Sequence, residues 1–179
     1  IQGTANRIAA LPAQIDKTLA SLDDLVNKPQ ADLRPQYKQF NAHLSEVAST
    51  AKDIAAARRS MGEKSKEFFA AWDAQLAKIN NEDIKARSQA RKDEVAQKME
   101  AIKRSYTEAE VAFRPFMGEL QDVQKYLSVD LTAGGLAAIK GTVSKAKTDS
   151  VPLTTSITQL AEQFKALGLA MSSVTPAAK

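Results

Sequence analysis

The chain has 179 residues, with 25 Lys and Arg against 21 Asp and Glu, one His and no Cys. Without Cys there is no disulfide, zinc–thiolate site, iron–sulfur cluster or cysteine nucleophile, and a single His cannot build a histidine-rich metal site. Ala, Glu, Lys, Leu and Arg supply 81 of the residues, a share at which long helices become the leading expectation, and the 6% aromatic content suits an aliphatic bundle better than a pocketed enzyme.

This length predicts one domain, residues 1–179, able to bury a core without covalent staples. No apolar run approaches the roughly 20 residues that span a bilayer. The first residue is Ile1 rather than Met, so a segment is expected upstream, and a cleaved secretory signal would leave such an end. The absence of Cys agrees with an oxidising envelope compartment without requiring it.

Proline and glycine clusters separate four stretches of helical periodicity. The first, about residues 4–27, carries Ile8, Leu11, Ile15, Leu19, Leu22 and Val26 on one face and stops at Asn27-Lys28-Pro29. Pro12 lies inside it, which predicts a firm helix from near Leu11 with a looser lead-in. The second, about residues 33–79, follows Asp32 as N-cap and Pro35 in the first turn. Its apolar positions run three then four from Tyr37 and Phe40 through Leu44, Val47, Ile54 and Met61 to Phe68, Trp72, Gln75 and Ile79, about six heptads and a helix of about 70 Å. Gly62 is either a tolerated surface residue or a hinge.

Asn81 is the candidate N-cap of the third stretch, about residues 82–128, with Glu82 and Asp83 favouring the helix dipole. Its seam runs from Ile84, Ser88 and Arg91 through Val95, Ile102 and Tyr106 to Phe116, Leu120 and Leu127, and Pro115 should kink it without ending it. The short connection makes the second and third helices antiparallel, with residue i facing about residue 161 minus i. Phe40 then meets Leu120, and Ile54 meets Tyr106. The fourth stretch, about residues 133–174, is capped by Asp130 or Thr132 and stays in phase across Pro152 from Leu136 to Val174. It is one kinked helix or two collinear ones, ended by Pro176.

These lengths predict an all-α, elongated, antiparallel up-down bundle built on a coiled-coil-like hairpin. The first helix covers the second only to about Ile54 or Arg58, whereas the fourth follows the third back to about Ser88. One end is then four helices thick and the other three. Arg58, Ser65, Gln75, Ser88 and Arg91 occupy seam phases that are apolar elsewhere, so the thin end is expected to be the looser one.

Few constellations carry chemistry. His43 has Glu46 three residues on, but the Glu-x-x-His pair of carboxylate bundles is absent, and a surface histidine is expected. Glu108 and Glu110, two apart on a helix, point in different directions. Gly134-Gly135 and Lys140-Gly141-Thr142 have the wrong order for a phosphate loop and follow no strand; a helix start explains the small residues. Phe68 and Trp72 are in seam phase, while Phe69 lies off it, facing the fourth helix or a partner. Residues 58–104 hold 12 Lys or Arg and 8 Asp or Glu, and the rest of the chain holds 13 of each. The whole positive excess therefore lies in the hairpin arm, densest at Lys85, Arg87, Arg91 and Lys92. Interleaved Asp83, Asp93, Glu94 and Glu100 give the pairing of an ordinary solvated helix, although the face could also meet anionic lipid.

Phe69-x-x-Trp72 with Leu76 and Ile79, Arg87-Ser88-x-x-Arg91, Phe113-x-Pro115-Phe116 with Leu120-x-Asp122, and Leu127-x-x-Asp130-Leu131-Thr132 together carry a likeness. Leu22-Asp23-Asp24-Leu25 and Asp32-Leu33-Arg34 extend it upstream. In these segments the chain resembles a bacterial family catalogued only as a domain of unknown function, whose members often bear a signal peptide or lipoprotein signal. The resemblance implies an envelope location and no catalytic residues.

The expectation is a non-enzymatic scaffold or interaction protein of the bacterial envelope, periplasmic or tethered upstream of Ile1, with an unidentified protein partner. Its candidate interaction residues are Phe69, Lys85, Arg87, Arg91 and Lys92. The alternative is a peripheral binder of anionic lipid using the basic arm. No cofactor, metal or nucleic acid is expected, and the chain is a monomer or homodimer.

Overall fold

A computed structural model describes residues 1–171. The protein is all-α, with four helices in chain order: α1 (Gln2–Asn27), α2 (Arg34–Leu76), α3 (Glu82–Val129) and α4 (Ala133–Ala170). Val174 and Pro176, expected at the end of the fourth helix, lie outside the described residues.

Local chemistry sets most of the boundaries. Asn81 caps α3 by accepting from the Ile84 amide at 3.1 Å, and Glu82 and Asp83 occupy the first turn beside the unpaired amides. Of the two candidates for α4, Thr132 is the cap: its hydroxyl oxygen accepts from the Gly135 amide at 3.1 Å. Pro35 sits in the first turn of α2, as expected, but the N-cap is Leu33, which makes no side-chain bond. Asp32 instead takes the backbone amide of Arg34 and its guanidinium.

The prolines interrupt less than the sequence suggested. α1 is helical from Gln2 through Pro12, with no looser lead-in, because Ile8, Leu11 and Ile15 on either side are all at most 5% exposed. Burial of that face outweighs the missing backbone bond. Pro115 and Pro152 likewise sit inside unbroken helices, so α4 is one helix. Both rings are exposed, and solvent can reach the carbonyls they leave free.

α1 packs against α2 and α4, and α3 packs against α4; α2 and α3, although joined by the shortest turn, meet least closely. The four helices therefore form a ring in which α1 lies diagonal to α3. The antiparallel register of the hairpin holds to within a helical turn. The Tyr37 hydroxyl donates to the Gln124 carbonyl at 2.8 Å, and the Trp72 indole donates to the Ser88 hydroxyl at 3.0 Å. Phe40 and Leu120, expected opposite one another, are both buried.

The core runs as one cluster through all four helices, with Leu22, Phe40, Leu127 and Phe164 among its fully buried members. The α1–α2 turn is held by a buried polar residue. Gln36 is 6% exposed, and its amide nitrogen donates to the Asp24 carboxylate at 2.9 Å and the Lys28 carbonyl at 3.0 Å. Its amide oxygen accepts from the Gln30 backbone at 3.0 Å, so one side chain satisfies both the end of α1 and the loop.

Two seam assignments are corrected at the far end of the hairpin. α2 stops at Leu76 instead of reaching residue 79, and Leu76 is buried there while Gln75 is exposed. Ile84, expected in the seam, is 55% exposed. Both follow from the sparse α2–α3 contact: a seam without tight packing on its far side does not hold its heptad phase.

Candidate functional site

Residues 58–104 form the arm of the hairpin, and of these only Leu76, Val95 and Ile102 are buried. In place of a continuous apolar seam the arm has aromatic and polar pairs. Phe68 stacks edge-on against both Phe69 and Trp72, with ring centroids 5.5 and 5.4 Å apart. All three are half-buried and pack against the edge of the core, so Phe69 is held within the protein and not fully presented to solvent. Arg58, in a seam phase, lies over the Tyr106 ring at 4.5 Å, a cation–π contact that lets a charged residue stay in the hairpin without a carboxylate.

The cations of the arm divide into two groups. Arg91 and Lys98 converge on Glu94, Lys103 reaches Glu100 at 3.7 Å, and Lys92 crosses the hairpin to Asp73. The Lys98 and Arg91 hydrogen bonds hold the Glu94 carboxyl below the usual carboxylate range. Arg91 also donates to the Ala170 carbonyl at 2.6 Å, tying the last turn of α4 to α3. Lys85 is half-buried and Arg87 exposed, and among the described residues neither has an ion-pair partner. The same is true of Arg59, Lys64, Lys66, Lys78 and Arg104, all exposed. Of the candidate interaction residues, Arg87 alone is both exposed and free of an ion pair.

At the collar where α1 begins, Ile1, Thr4, Met61, Phe68, Met99 and Met171 line an open groove of about 380 Å³. Three of the four methionines meet there, flexible and polarizable side chains that fill irregular space.

His43 lies at the surface but half-buried between α1 and α2, with Nδ1 at 3.2 Å from the Ser21 hydroxyl. Ser21 donates its own proton to the Thr18 carbonyl at 2.8 Å, so His43 donates from Nδ1 and the ring has a structural partner. Glu110 pairs with Arg114 at 2.7 Å and Glu108 is exposed. At Gly135 an added Cβ would lie 2.1 Å from the Asp130 carbonyl, which is why a glycine stands in the first turn of α4. Among the described residues no group of three His, Asp or Glu could hold a metal ion, and no helix is long and apolar enough to cross a membrane.

Sequence reading missed Ser88 as the acceptor for Trp72 and Tyr106 as the platform for Arg58. The heptad phase was the available signal, since it sets both pairs across the hairpin. A family model described as "Protein of unknown function (DUF2959)" matches residues 5–166, in agreement with the likeness carried by the segments from Leu22 to Thr132. No curated protein and no solved structure matches the chain.

Proposed function

The chain belongs to the DUF2959 family, and we propose that it is a non-enzymatic scaffold or interaction protein of the bacterial cell envelope, periplasmic or tethered there, acting through its helical faces. The observation that carries this reading is the coincidence of charge and loose packing. The stretch that holds the whole net charge of +4 is also the stretch with three buried side chains. A basic, thinly packed arm on a firmly packed body is suited to taking up a partner, because docking there adds packing that the chain alone lacks. In this reading the bundle is elongated and thins from four helices to three beyond the start of α1. The Arg91 bond to Ala170 supports it, while Ile1, whose Cγ2 would lie 3.3 Å from a Cβ on Gly168, puts the start of α1 almost level with the end of α4. The three-helix segment is then about one turn of α4 long among the described residues.

Photo-crosslinking in the native organism tests the proposal. A crosslinker at Phe69 or Arg87 is expected to trap one defined envelope protein, and a crosslinker at Val129, exposed on the body, is expected not to. Equal or absent trapping at all three positions would remove the scaffold reading.

A second reading, peripheral binding to anionic lipid, is favoured by the cations without ion-pair partners at Lys64, Lys66, Lys78, Lys85 and Arg87. Flotation with phosphatidylglycerol vesicles separates the two. Binding at low salt that is lost at high salt supports the lipid reading, and no binding at either salt excludes it.

A further inference from the structure

Midway along the bundle, between α2 and α3, a groove of about 220 Å³ opens to solvent. It follows from side-chain size. α2 and α3 are the neighbours that meet least closely, and along the gap they present Ala51, Ala55 and Ala109, which are too small to fill it. The floor is hydrocarbon, made by Ile8 and Leu11 of α1 and Ile157 and Leu160 of α4, each at most 5% exposed. Water in such a trough finds few hydrogen-bonding partners.

Glu110 and Arg114 line the groove as an ion pair toward one end, and the other end has a different chemistry. Tyr106 lines it and is 8% exposed, with the Arg58 guanidinium 4.5 Å above its ring. The hydroxyls of Tyr37 and Tyr126 donate to the Gln124 carbonyl and the Asp130 carboxylate. The Tyr106 hydroxyl has no hydrogen-bond partner among the described residues. Arg58, Arg59 and Arg114 all act on Tyr106 through their charge, and Glu110 is the opposing acid. Glu110 is paired with Arg114, so Arg58 and Arg59 remain as two positive charges that no carboxylate among the described residues pairs.

We propose that this groove binds a free fatty acid, its single hydrocarbon chain lying between α2 and α3 and its carboxylate held by Arg58 and the Tyr106 hydroxyl, with Arg59 adding positive charge at the mouth. The Tyr37–Gln124 and Trp72–Ser88 bonds tie α2 to α3 on either side of the groove, which argues against a partner helix about 10 Å across lying between them. An apolar lining with a few convergent polar groups at one end is the pattern of a small-molecule site, and a guanidinium fork matches a carboxylate. The site takes Arg58 and Arg59 from the base of the arm but none of the candidate interaction residues Phe69, Lys85, Arg87, Arg91 and Lys92.

Calorimetric titration of the full chain with dodecanoate below its micelle concentration tests it, beside dodecyltrimethylammonium, which has the same tail and the opposite head charge. One dodecanoate per chain is expected, with the cationic analogue at least about tenfold weaker and Arg58→Gln weakening dodecanoate by about tenfold. Ala55→Leu, which fills the wall, is expected to abolish binding while keeping the helical circular dichroism of the parent. Should that variant unfold, Ala51→Met blocks the same wall and carries the same expectation. Absence of dodecanoate binding, equal affinity for both head groups, several molecules per chain, or binding that survives the filled wall would each overturn the proposal. Binding to phosphatidylglycerol vesicles without binding of monomeric dodecanoate would overturn it as well.

Discussion

Trp72 donates its indole N–H to the Ser88 hydroxyl at 3.0 Å, bridging α2 and α3 close to their turn. Both residues are half-buried in the part of the hairpin with the fewest buried side chains, where this bond, the Lys92–Asp73 ion pair and the Arg58 contact over Tyr106 together link the two helices. Ser88→Ala leaves the indole without its partner and is expected to destabilise the protein by about 1 kcal/mol. Trp72 is the only tryptophan, so its fluorescence reads the change directly. The expected result is a lower urea midpoint with altered emission; an unchanged midpoint and spectrum would show that the bond contributes nothing.

Gly134 and Gly135 are neighbours with opposite tolerances. A Cβ at Gly135 would lie 2.1 Å from the Asp130 carbonyl, whereas one at Gly134 meets only the Thr132 hydroxyl oxygen at 3.6 Å. Gly135→Ala is expected to cost about 1–3 kcal/mol through overpacking. Gly134→Ala, in the first turn of α4, is expected to be neutral or to stabilise by up to about 1 kcal/mol, because alanine restricts the unfolded chain. Thermal denaturation of the two variants side by side decides whether steric fit at α4 is the reason for the glycine pair.

Gln36 satisfies groups from three parts of one turn: the Asp24 carboxylate, the Lys28 carbonyl and the Gln30 amide. Replacing it with Leu keeps the volume and removes every bond. The expected loss is about 1–3 kcal/mol, since the groups it served stay partly buried. Amide exchange near residues 28–33 should accelerate more than exchange at Ile102, buried toward the other end of the core. Uniform acceleration would mean that Gln36 acts only through global stability.

Hydrogen bonds from Lys147 and then Asn27 hold the Asp23 carboxyl below its ordinary value, outweighing the opposing effect of burial. Because the folded value lies below the unfolded value near 3.8, the stabilisation is fully present above that pH and is lost as the pH falls through the folded value. Asp23→Asn is expected to lower stability by about 0.5 kcal/mol at pH 7, the ordinary worth of an accessible ion pair. The difference between variant and parent should vanish once the pH falls below the folded value. A difference that persists unchanged at low pH would point to packing as its cause in place of charge.

Four helices, the cap at Asn81, the choice of Asp130 or Thr132 for the last helix, and the hairpin register were all legible in the chain. Each depends on neighbours three or four residues away, on one side chain reaching a nearby amide, or on the shortness of one turn. By itself, then, the sequence determined the all-α class, the order and approximate ends of the helices, and the concentration of positive charge between Arg58 and Arg104. Only the tertiary structure decided which apolar stripes close on one another, because all four helices carry stripes of the same kind and the choice depends on side-chain volumes summed across partners. That choice set α1 tightly against α2 and α4 and left α2 and α3 apart. It also exposed Gln75 and Ile84, placed Arg58 over Tyr106, drew His43 inward to Ser21, and opened the groove walled by Ala51, Ala55 and Ala109.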